Sequence, residues 1–488
     1  MNLWVILISL SVKAGMWVQT DWSGGPYQAV WSDTSRFFTG ENVDITEPGV
    51  LKLKYTDWRN WWIWPPGDDS ICQEVYSIIK GIDGNLYLAG KDENTLKFYK
   101  SANSGKDWEE ISEICSGTAY KIVEKQEGEF YVGVANANAP IFRTTDYGET
   151  WEPVDTVTFA GINAVYSLAV TSSYIYAGAD NGVIFRSTDG ENWGAIDTLP
   201  YGVRSILTIG EEVYVGLDSM GLVFKLDFDS FVPVDTITAL KTVYVLETIN
   251  DTIYAAGDTA LLFKYNGVKF EQVGQISDAK VIYTLMYKDN KFLAGGVNQY
   301  GVSAVYLSED MGITWEYADN SGVFSGEGIL AMLPIEVGAI AVGKTGKSFI
   351  AGYYREGYIE SSVFDISGVN NLGVIDWDAI GKVAVAVRTD TNIGMSTYEW
   401  DSSANARNGQ DLSYLVSTND GDDYIQYRAV LTTIVPTETP ELYEVRMRFE
   451  NNAPVVIWYE PDSLVAVPLG DTVKFVVHAY DENGDELT

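Results

Sequence analysis

One short pattern occurs four times in the sequence, and each copy has the residues of a tight turn. The pattern is Ser or Thr, then Asp or Asn, then Gly, and then a polar residue directly before Trp. Asp and Asn side chains accept hydrogen bonds from nearby backbone amides, and Gly adopts conformations that are closed to other residues. The copies occupy residues 101–108, 144–151, 187–193 and 308–315.

The residues that define this turn are predicted to serve the architecture of the protein and not its chemistry. The Trp that ends each copy buries a large apolar area, which suits packing between neighbouring sheets. The predicted structural residues are Asn103, Gly105, Trp108, Asp146, Gly148, Trp151, Asp189, Trp193, Asp310, Gly312 and Trp315.

Longer units surround the four turns and recur about every 40 residues. Each unit has an apolar first strand, a second strand that ends in small residues, a third strand with an aromatic residue, and a fourth strand that begins at an aromatic residue. The first strands begin at Val75, Ala119, Val165, Val203, Val243, Ile282 and Ile329. Seven units of four strands predict an all-β fold, with a seven-bladed β-propeller over residues 58–355.

The seventh unit lacks a fourth strand, and a segment before the first unit is able to supply it. Residues 60–64, Asn-Trp-Trp-Ile-Trp, are similar to the Trp-first strands of other units, such as residues 107–111. We predict that this segment is the outer strand of the seventh sheet, because closing the ring removes an exposed sheet edge.

The repeated turn resembles the Asp box, or BNR repeat, of sialidase-like β-propellers. The resemblance covers the four turns and the units around them, and it implies a propeller protein of the secreted bacterial surface type. In families with this repeat the boxes lie away from the face that binds ligand. The resemblance therefore implies that any ligand binds at the other face of the propeller.

The regions outside the repeat predict further β domains. Residues 356–450 read as strands separated by turns, similar to a β-sandwich module, and residues 16–57 are expected to pair with them. Residues 451–488 resemble the front half of an immunoglobulin-like domain and are too short to complete one. The propeller is therefore predicted to be inserted into the sandwich.

The N-terminus and the net charge predict a protein that acts outside the cell. Residues 1–15 contain an apolar run of signal-peptide length that is too short to span a bilayer. The alternative is a buried N-terminal strand. The net charge of −36 argues against nucleic acid and against anionic membranes, since both require clustered Lys and Arg. We expect secretion or cell-surface display without membrane insertion.

The sequence has two cysteines, Cys72 and Cys115, which lie just before the first strands of adjacent units. An oxidising compartment permits a disulfide between them. The alternative is a pair of free, half-buried thiols. Sequence alone does not give the Cα separation that a bridge requires, so both alternatives stay open.

The sequence gives little support to catalysis. Sialidases hold the substrate carboxylate with three Arg residues and carry an Arg-Ile-Pro motif, and this sequence has no such motif. A glycosidase needs two carboxylates across a cleft, and the acidic residues here are too numerous to single out a pair. The single His, His478, lies outside the propeller, which excludes a Ser–His–Asp site within it. The Arg residues of the propeller region are Arg59, Arg143, Arg186, Arg204 and Arg355.

Polar residues after the second strands are the candidate ligand-binding residues. One interpretation is a partial ring of carboxylates that binds Ca²⁺, the only candidate cofactor, or sugar hydroxyls. The other, which the sequence favours, is turn capping by short acidic side chains. Amides and an aromatic residue in the longer loops suit contact with a carbohydrate or a peptide. The candidates are Asp92, Asn136, Asn138, Asp180, Asp218, Asp258, Asn298 and Tyr300.

These observations predict a secreted or cell-surface protein that uses its propeller as a recognition or scaffolding platform. Its partner is expected to be a glycan or a protein at the propeller face, and catalysis is not expected. One alternative is a glycan-active hydrolase. Another is an assembly factor that resembles the photosystem-associated Asp-box propellers. The step from fold to function rests on analogy, since propellers host many functions.

Overall fold

The computed structural model of the chain describes residues 15–20, 22, 40–55, 58–64, 70–136, 140–154, 161–318, 324–326, 328–361, 363–366, 369–400, 404–451, 455–460 and 476–480. These residues fall into two compact units. One unit runs from Thr56 to Gly352, and the other combines the residues before Thr56 with those from Tyr353 onward. The predicted signal peptide lies outside the described residues, except for Gly15, which begins a strand.

The described part of the Thr56–Gly352 unit contains seven four-stranded antiparallel sheets. We number them 1 to 7 along the chain by their first strands, which are Glu74–Lys80, Thr118–Gln126, Val165–Val170, Val203–Ile209, Val243–Ile249, Ala279–Lys288 and Ile329–Pro334. The second strands are Leu86–Asp92, Glu129–Ala135, Ile175–Ala179, Glu212–Leu217, Thr252–Gly257, Lys291–Asn298 and Ala339–Gly343. The third strands are Thr95–Ser101, Ile141–Thr144, Val183–Ser187, Leu222–Asp227, Leu261–Tyr265, Ser303–Ser308 and Ser348–Ala351. The fourth strands are Glu109–Ser116, Glu152–Pro153, Trp193–Thr198, Ser230–Thr236, Phe270–Gln275, Glu316–Tyr317 and Trp61–Trp64.

These sheets form a closed ring. The first strand of each sheet contacts the first strands of both neighbours, and the first strand of sheet 7 contacts that of sheet 1. The arrangement is a β-propeller, so the prediction of an all-β chain that contains a propeller is confirmed. The space enclosed by the first strands is called the channel below.

The second strand of each sheet is buried on both faces because neighbouring sheets cover it. In sheet 2, Phe130 and Val132 have no exposed surface. A Cβ on Gly133 of the same strand would lie 2.9 Å from Cγ1 of Val165 in sheet 3, so the small residue permits the close approach of the two sheets. This packing explains why these strands read as continuous apolar runs in the sequence.

Sheet 7 is completed by a strand from the N-terminal side of the unit. Trp61 pairs with Ala351 and Trp64 pairs with Ser348, in antiparallel register. The Ser348 hydroxyl donates a hydrogen bond of 2.7 Å to the Trp64 carbonyl. The strand predicted from residues 60–64 therefore occupies the expected position at the outer edge of sheet 7.

The second unit contains two sheets that bury one shared core. One sheet consists of Gly15–Gln19, Val43–Asp44, Leu51–Leu53, Val369–Ile380, Gln410–Asp411 and Glu441–Asn451. The other consists of Gly40–Glu41, Glu356–Glu360, Phe364–Asp365, Lys382–Asp390 and Tyr424–Thr432. Val445 and Met447 of the first sheet and Val385 and Leu431 of the second are all fully buried in this core. A 3-10 turn, Leu412–Tyr414, adds Leu412 to it.

The N-terminal strand of this unit joins the core through a buried polar contact. The Trp22 indole Nε1 donates a hydrogen bond of 3.0 Å to the Tyr427 hydroxyl, which in turn donates to the Gln19 side chain. Both Trp22 and Tyr427 are fully buried. Toward the C-terminus, Val455–Glu460 pairs with Val476–Tyr480. No helix among the described residues has the length and apolar character needed to cross a membrane.

Candidate binding site at the channel mouth

A β-bulge interrupts the first strand of all seven sheets. In sheet 1, Val75 pairs with Gly90 and Ser77 pairs with Ala89, so Tyr76 is the extra residue. A bulge changes the direction in which the side chain of its extra residue points. Here the same bulge recurs in every sheet of the ring. The residues at the bulge are Tyr76, Tyr120, Tyr166, Arg204, Tyr244, Tyr283 and Leu330.

The seven bulge residues line one cavity of about 400 Å³ at the mouth of the channel, and Thr118 and Lys344 complete its lining. The seven side chains are half-buried, so each combines a packed body with an accessible tip. We call this set the tyrosine ring. The tyrosine ring forms because each of the seven first strands has the same bulge, and the bulge residue is Tyr in five of them.

Aromatic contacts hold the tyrosine ring together. The Tyr120 and Tyr166 rings meet edge to face with centroids 4.9 Å apart, and Tyr244 and Tyr283 do so at 5.1 Å. Tyr76 and Tyr120 are tilted, with centroids 6.4 Å apart. These geometries are the favourable ones for aromatic pairs, and they restrict the orientation of each phenol at the mouth.

Arg204 places a positive charge within the tyrosine ring. Its guanidinium lies over the Tyr166 ring, 3.6 Å from the centroid, in a cation–π contact. Its Nε is buried and has no hydrogen-bond partner among the described residues. A buried donor without an acceptor is costly, so the site offers an unused hydrogen bond to an incoming acceptor.

The phenols of Tyr76, Tyr166 and Tyr283 stay protonated at neutral pH, because the pKa of each is raised. Burial raises the pKa of Tyr166 and Tyr283, while the charge of Arg204 lowers both. Burial also raises the pKa of Tyr76, and a hydrogen bond to the Glu74 carboxylate raises it further. Protonated phenols both donate and accept hydrogen bonds, so the mouth presents amphipathic groups to a ligand.

A second cavity, of about 220 Å³, lies along the channel walls, and the seven residues of the tyrosine ring line it as well. First-strand residues from all seven sheets line it, and most of them are serine or aliphatic side chains. Lys121 of sheet 2 and Glu247 of sheet 5 are the charged side chains in this lining apart from Arg204. Neither lines the wider cavity at the mouth.

The acidic residues predicted as ligands lie at the end of a second strand, for Asp92, or directly after one, for the other three, and they do not line either cavity. The Asp180 carboxylate accepts hydrogen bonds from the Asn163 amide and side chain, at 3.3 and 3.1 Å. Asp258 accepts the amides of Lys241 and Thr242, at 2.9 and 3.1 Å. These contacts are those of turn capping.

The two remaining carboxylates also have local contacts. A Cβ on Gly202 would lie 2.7 Å from Oδ2 of Asp218, so this carboxylate packs against the preceding loop. Asp92 forms an ion pair of 3.5 Å with Lys97. No three His, Cys, Asp or Glu side chains come together as metal ligands in the part of the chain that the structure describes. The partial carboxylate ring proposed for Ca²⁺ is therefore not assembled there.

The predicted amide and aromatic residues are likewise separate from the cavities. Asn136 donates from Nδ2 to the Ser116 carbonyl at 3.0 Å. Asn298 accepts the amides of Tyr300 and Val302 at 2.9 and 3.0 Å, while the Tyr300 side chain is 81% exposed. Asn138 lies outside the described residues.

The four repeated turns lie at the opposite end of the sheets from the tyrosine ring. In sheet 1, Ser101 pairs with Leu86, which pairs with Lys80, whereas Tyr76 lies at the other end of the same strand. In every turn the Gly amide donates to the Ser or Thr hydroxyl at 2.8 to 3.0 Å. The Asp or Asn side chain accepts the amide before the Trp at 2.8 to 3.0 Å.

The Gly and the Trp of each repeated turn pack against the preceding sheet. Gly148 has a φ of +90°, and a Cβ there would lie 2.2 Å from Cδ1 of Phe98 in sheet 1. The Trp151 ring meets the Phe98 ring edge-on at 5.0 Å. Trp151, Trp193 and Trp315 donate from Nε1 to the glycine carbonyl of their own turn. Trp108 Nε1 is buried without a partner among the described residues.

Both cysteines are free thiols, so the structure has the second of the two alternatives that the sequence left open. Cys72 is buried and donates from Sγ to the Glu74 carbonyl at 3.2 Å. Burial raises the pKa of the Cys72 thiol to about 12 and that of Cys115 to about 11. Neither thiol is an activated nucleophile.

Among known proteins, only solved structures are similar to this chain, and the similarity is one of fold. No protein-family model matches the sequence, and no curated protein matches it. Solved structures that resemble it include YCF48 bound to D1 peptide, with 14% identity over 60% of this chain and 97% of that chain and a TM-score of 0.47.

Two further solved structures have a similar degree of likeness. Virginiamycin B lyase from Staphylococcus aureus has 12% identity over 60% of this chain and 97% of that chain, with a TM-score of 0.49. The WD40 β-propeller domain of Doa1 has 11% identity over 59% of this chain and 96% of that chain, with a TM-score of 0.46. At such identities the likeness concerns the β-propeller fold alone.

The sequence carried one signal for the tyrosine ring that composition and motif searches do not detect. A Tyr recurs at the second position of the first strand in five of the seven units. Regular alternation along a strand assigns such a residue to one face of its own sheet. The bulge breaks that alternation, and it is this departure that brings the tyrosines to the channel mouth.

Proposed function

We propose that the chain is a secreted or cell-surface recognition protein that binds a segment of a partner protein at the tyrosine ring. In this proposal the seven sheets are the blades of a seven-bladed Asp-box propeller, and the protein performs no catalysis. The segments 16–57 and 356–450 form a β-sandwich into which the propeller is inserted. Residues 1–15 are a signal peptide, and residues 451–488 begin an immunoglobulin-like domain.

One observation carries this proposal: five tyrosines and Arg204 line a single accessible cavity on the axis of the ring. Tyr and Arg are the residue types that contribute most binding energy at protein interfaces. Tyr combines a rigid apolar body with a hydroxyl that both donates and accepts hydrogen bonds. The cavity is also concave and largely formed by packed side chains, as ligand sites usually are.

The arrangement of the rings favours a peptide over a glycan. Sugars bind aromatic residues by stacking on an open ring face. In the Tyr120–Tyr166 and Tyr244–Tyr283 pairs, the edge of one ring covers the face of the other, and the Arg204 guanidinium lies on the Tyr166 face. These contacts cover some of the ring faces on which a sugar would stack, whereas the phenol hydroxyls suit the carbonyls and amides of an extended chain.

A selection experiment tests this proposal directly. The full chain is used to select binders from a displayed random-peptide library and, in parallel, is applied to a glycan array. We expect peptides to be enriched, with affinity reduced about tenfold or more in Tyr120→Ala and in Arg204→Ala. Tyr300→Ala is the matched control, because Tyr300 is a highly exposed tyrosine outside the cavity.

Three results would contradict the proposal. Binding only to glycans would replace the peptide with a sugar ligand. Peptide binding that Tyr120→Ala and Arg204→Ala leave unchanged would move the site elsewhere on the protein. Turnover of a glycan substrate by the purified chain would favour the hydrolase alternative. Circular dichroism of each variant establishes that the fold is retained, and Tyr120→Phe keeps the ring packing while removing only the hydroxyl.

A further inference from the structure

The seven repeats allow the channel-lining residues to be compared with one another. At the position directly after the bulge, sheet 2 has Lys121, whereas the other six sheets have small or aliphatic residues. Those residues are Ser77, Ser167, Ser205, Val245, Thr284 and Ala331. The serines serve the architecture, since Ser167 donates to the Val203 carbonyl of the next sheet at 2.9 Å and Ser205 donates to that of Val243 at 3.2 Å. Lys121 is therefore a departure from a structural position.

Glu247 departs from the repeat in the same way. Three residues after the bulge, sheet 5 has this carboxylate, and the other six sheets have apolar side chains. Those side chains are Ile79, Val123, Ala169, Leu207, Met286 and Leu333. The two exceptions carry opposite charges and line the same 220 Å³ cavity.

The two charges are near enough to attract each other, yet they are not bonded to each other. Each affects the titration of the other electrostatically, but no hydrogen bond or ion pair joins them among the described contacts. The hydrogen bond found for the Glu247 carboxylate comes from the adjacent Thr248 amide, at 3.2 Å. Among the described residues, none accepts a hydrogen bond from the Lys121 ammonium, and this side chain is exposed to the channel.

The two side chains differ in exposure, since Lys121 is exposed to the open channel and Glu247 is half-buried. Desolvation lowers the pKa of Lys121, and Glu247 opposes that shift. Desolvation also raises the pKa of Glu247, and Lys121 opposes that shift. A charge inside a narrow protein channel is only partly hydrated, and a direct hydrogen bond to a partner stabilises it. The cavity that both side chains line has room for a third group.

We infer that the channel below the tyrosine ring binds a small zwitterion, an α-amino acid, with its carboxylate on Lys121 and its ammonium on Glu247. An anion alone would leave the Glu247 carboxylate beside it, and a cation alone would leave Lys121 beside it. A ligand with both charges gives Lys121 and Glu247 a partner each. The cavity volume limits this ligand to a small molecule. The tyrosine ring lines this cavity as well as the one at the mouth, whereas Lys121 and Glu247 line this cavity alone.

The test uses the full wild-type chain with the common L-α-amino acids, each at millimolar concentration, in a thermal-shift assay. We expect at least one amino acid to raise Tm. Its affinity is then measured by calorimetry beside two matched analogues, one without the ammonium and one without the carboxylate. For L-leucine these analogues are 4-methylpentanoate and 3-methylbutylamine. Each analogue is expected to bind about tenfold more weakly or worse, because it leaves one wall charge without a partner.

The double variant Lys121→Met with Glu247→Gln removes both charges and is expected to abolish amino-acid binding. The matched control is Lys225→Met with Glu212→Gln, which removes an ion pair of 2.5 Å between neighbouring strands of sheet 4, outside the channel lining. The control should bind as the wild type does. Peptide binding at the tyrosine ring should survive the Lys121 and Glu247 changes, which distinguishes this inference from the proposed function.

The inference is overturned if no amino acid raises Tm, which would mean that water alone fills the space between the two charges. It is also overturned if both analogues bind as tightly as the amino acid, or if the channel double variant binds it unchanged. The analogue comparison is made on the wild-type chain, so it decides the question even if the double variant does not fold.

Discussion

The Arg204 guanidinium lies 3.6 Å from the centre of the Tyr166 ring, where the bulges of sheets 3 and 4 bring the two side chains together. A guanidinium stacks well on an aromatic face because it is planar and weakly hydrated. The contact fixes a cation at the channel mouth of a protein whose net charge is −36. It therefore adds positive potential at the mouth and opposes the effect of burial on the pKa of Tyr166 and Tyr283.

Replacing Arg204 with Met should raise the pKa of Tyr166. The charge of Arg204 lowers this pKa, and burial, the larger influence, raises it, so removing the charge leaves burial less opposed. The pKa of Tyr283 should rise as well, for the same reason. NMR titration of the protein with ring-labelled tyrosine, assigned with Tyr166→Phe and Tyr283→Phe, measures both shifts. Arg186→Met is the control, since Arg186 stacks on Tyr174 at 4.5 Å and should leave Tyr166 unchanged.

Three glycine-to-alanine variants separate backbone strain from steric overlap. Gly194→Ala should be nearly neutral, because its φ is ordinary and no atom lies within 4 Å of the new Cβ. Gly210→Ala, with a φ of +60° and open space, should cost about 1 kcal/mol. Gly148→Ala adds a 2.2 Å approach to Phe98 and should cost about 3 kcal/mol or more. Urea unfolding followed by Trp fluorescence gives the order, and equal costs would refute it.

The Asp189 turn should stabilise the protein less in acid. Hydrogen bonds from the Asn192 side chain and amide lower the pKa of Asp189, so its charged form stabilises the folded state. That stability is present above the unfolded pKa near 4 and disappears as the pH falls through the folded value. Asp189→Asn should therefore cost up to about 1 kcal/mol at pH 7, after allowance for solvent screening.

The pH dependence provides the check on Asp189. The Tm difference between wild type and Asp189→Asn should shrink steadily below pH 4. Asp227→Asn serves as the control, because Asp227 is an exposed carboxylate near the end of a strand. A Tm difference for Asp189→Asn that is constant from pH 7 to strongly acidic pH would show that the charge plays no part.

Thiol counting tests the state of the cysteines. In denaturant without reductant, a thiol reagent should find both Cys72 and Cys115, because neither is bridged. In the folded protein at pH 8, Cys72 should react slowly, because it is buried and its pKa is raised to about 12. Absence of free thiols in denaturant before reduction, followed by their appearance after it, would establish a disulfide.

In the second unit, Tyr427→Phe should cost about 1 to 3 kcal/mol. The change removes the acceptor of the Trp22 indole and the donor to Gln19 in a fully buried place. Tyr414→Phe is the matched control, because the Tyr414 side chain is 80% exposed. Thermal unfolding of both variants should show a loss for Tyr427→Phe only.

Much of the fold could be predicted from the sequence because each repeat unit is a short, continuous segment of the chain. The turn residues and the apolar strands recur in register, and the missing fourth strand of the last unit pointed to Trp61–Trp64. Local hydrogen bonds, such as those from the glycine amides of the turns, involve residues close in sequence. Patterns of this kind can be identified without coordinates.

The candidate site was not readable in the same way. Acidic loop residues such as Asp180 and Asp258 were predicted as ligands because carboxylates bind cations and sugar hydroxyls. In the structure their oxygens accept hydrogen bonds from backbone amides. The tyrosine ring depends on a one-residue register shift in each first strand, and alternation patterns assume that no such shift occurs. The placement of Lys121 and Glu247 in one cavity depends on closure of the ring, which brings sheets 2 and 5 to the same channel.

The closing strand of sheet 7 gives synthesis of this protein a fixed order. Trp64 and its partner Ser348 are separated by 284 positions along the chain. During translation the aromatic strand Trp61–Trp64 leaves the ribosome early and waits, without a sheet to join, until nearly the whole ring has been made. An unpaired apolar strand invites association with other chains. A nascent chain of this protein therefore has a long interval in which a chaperone that shields Trp-rich segments would raise its yield.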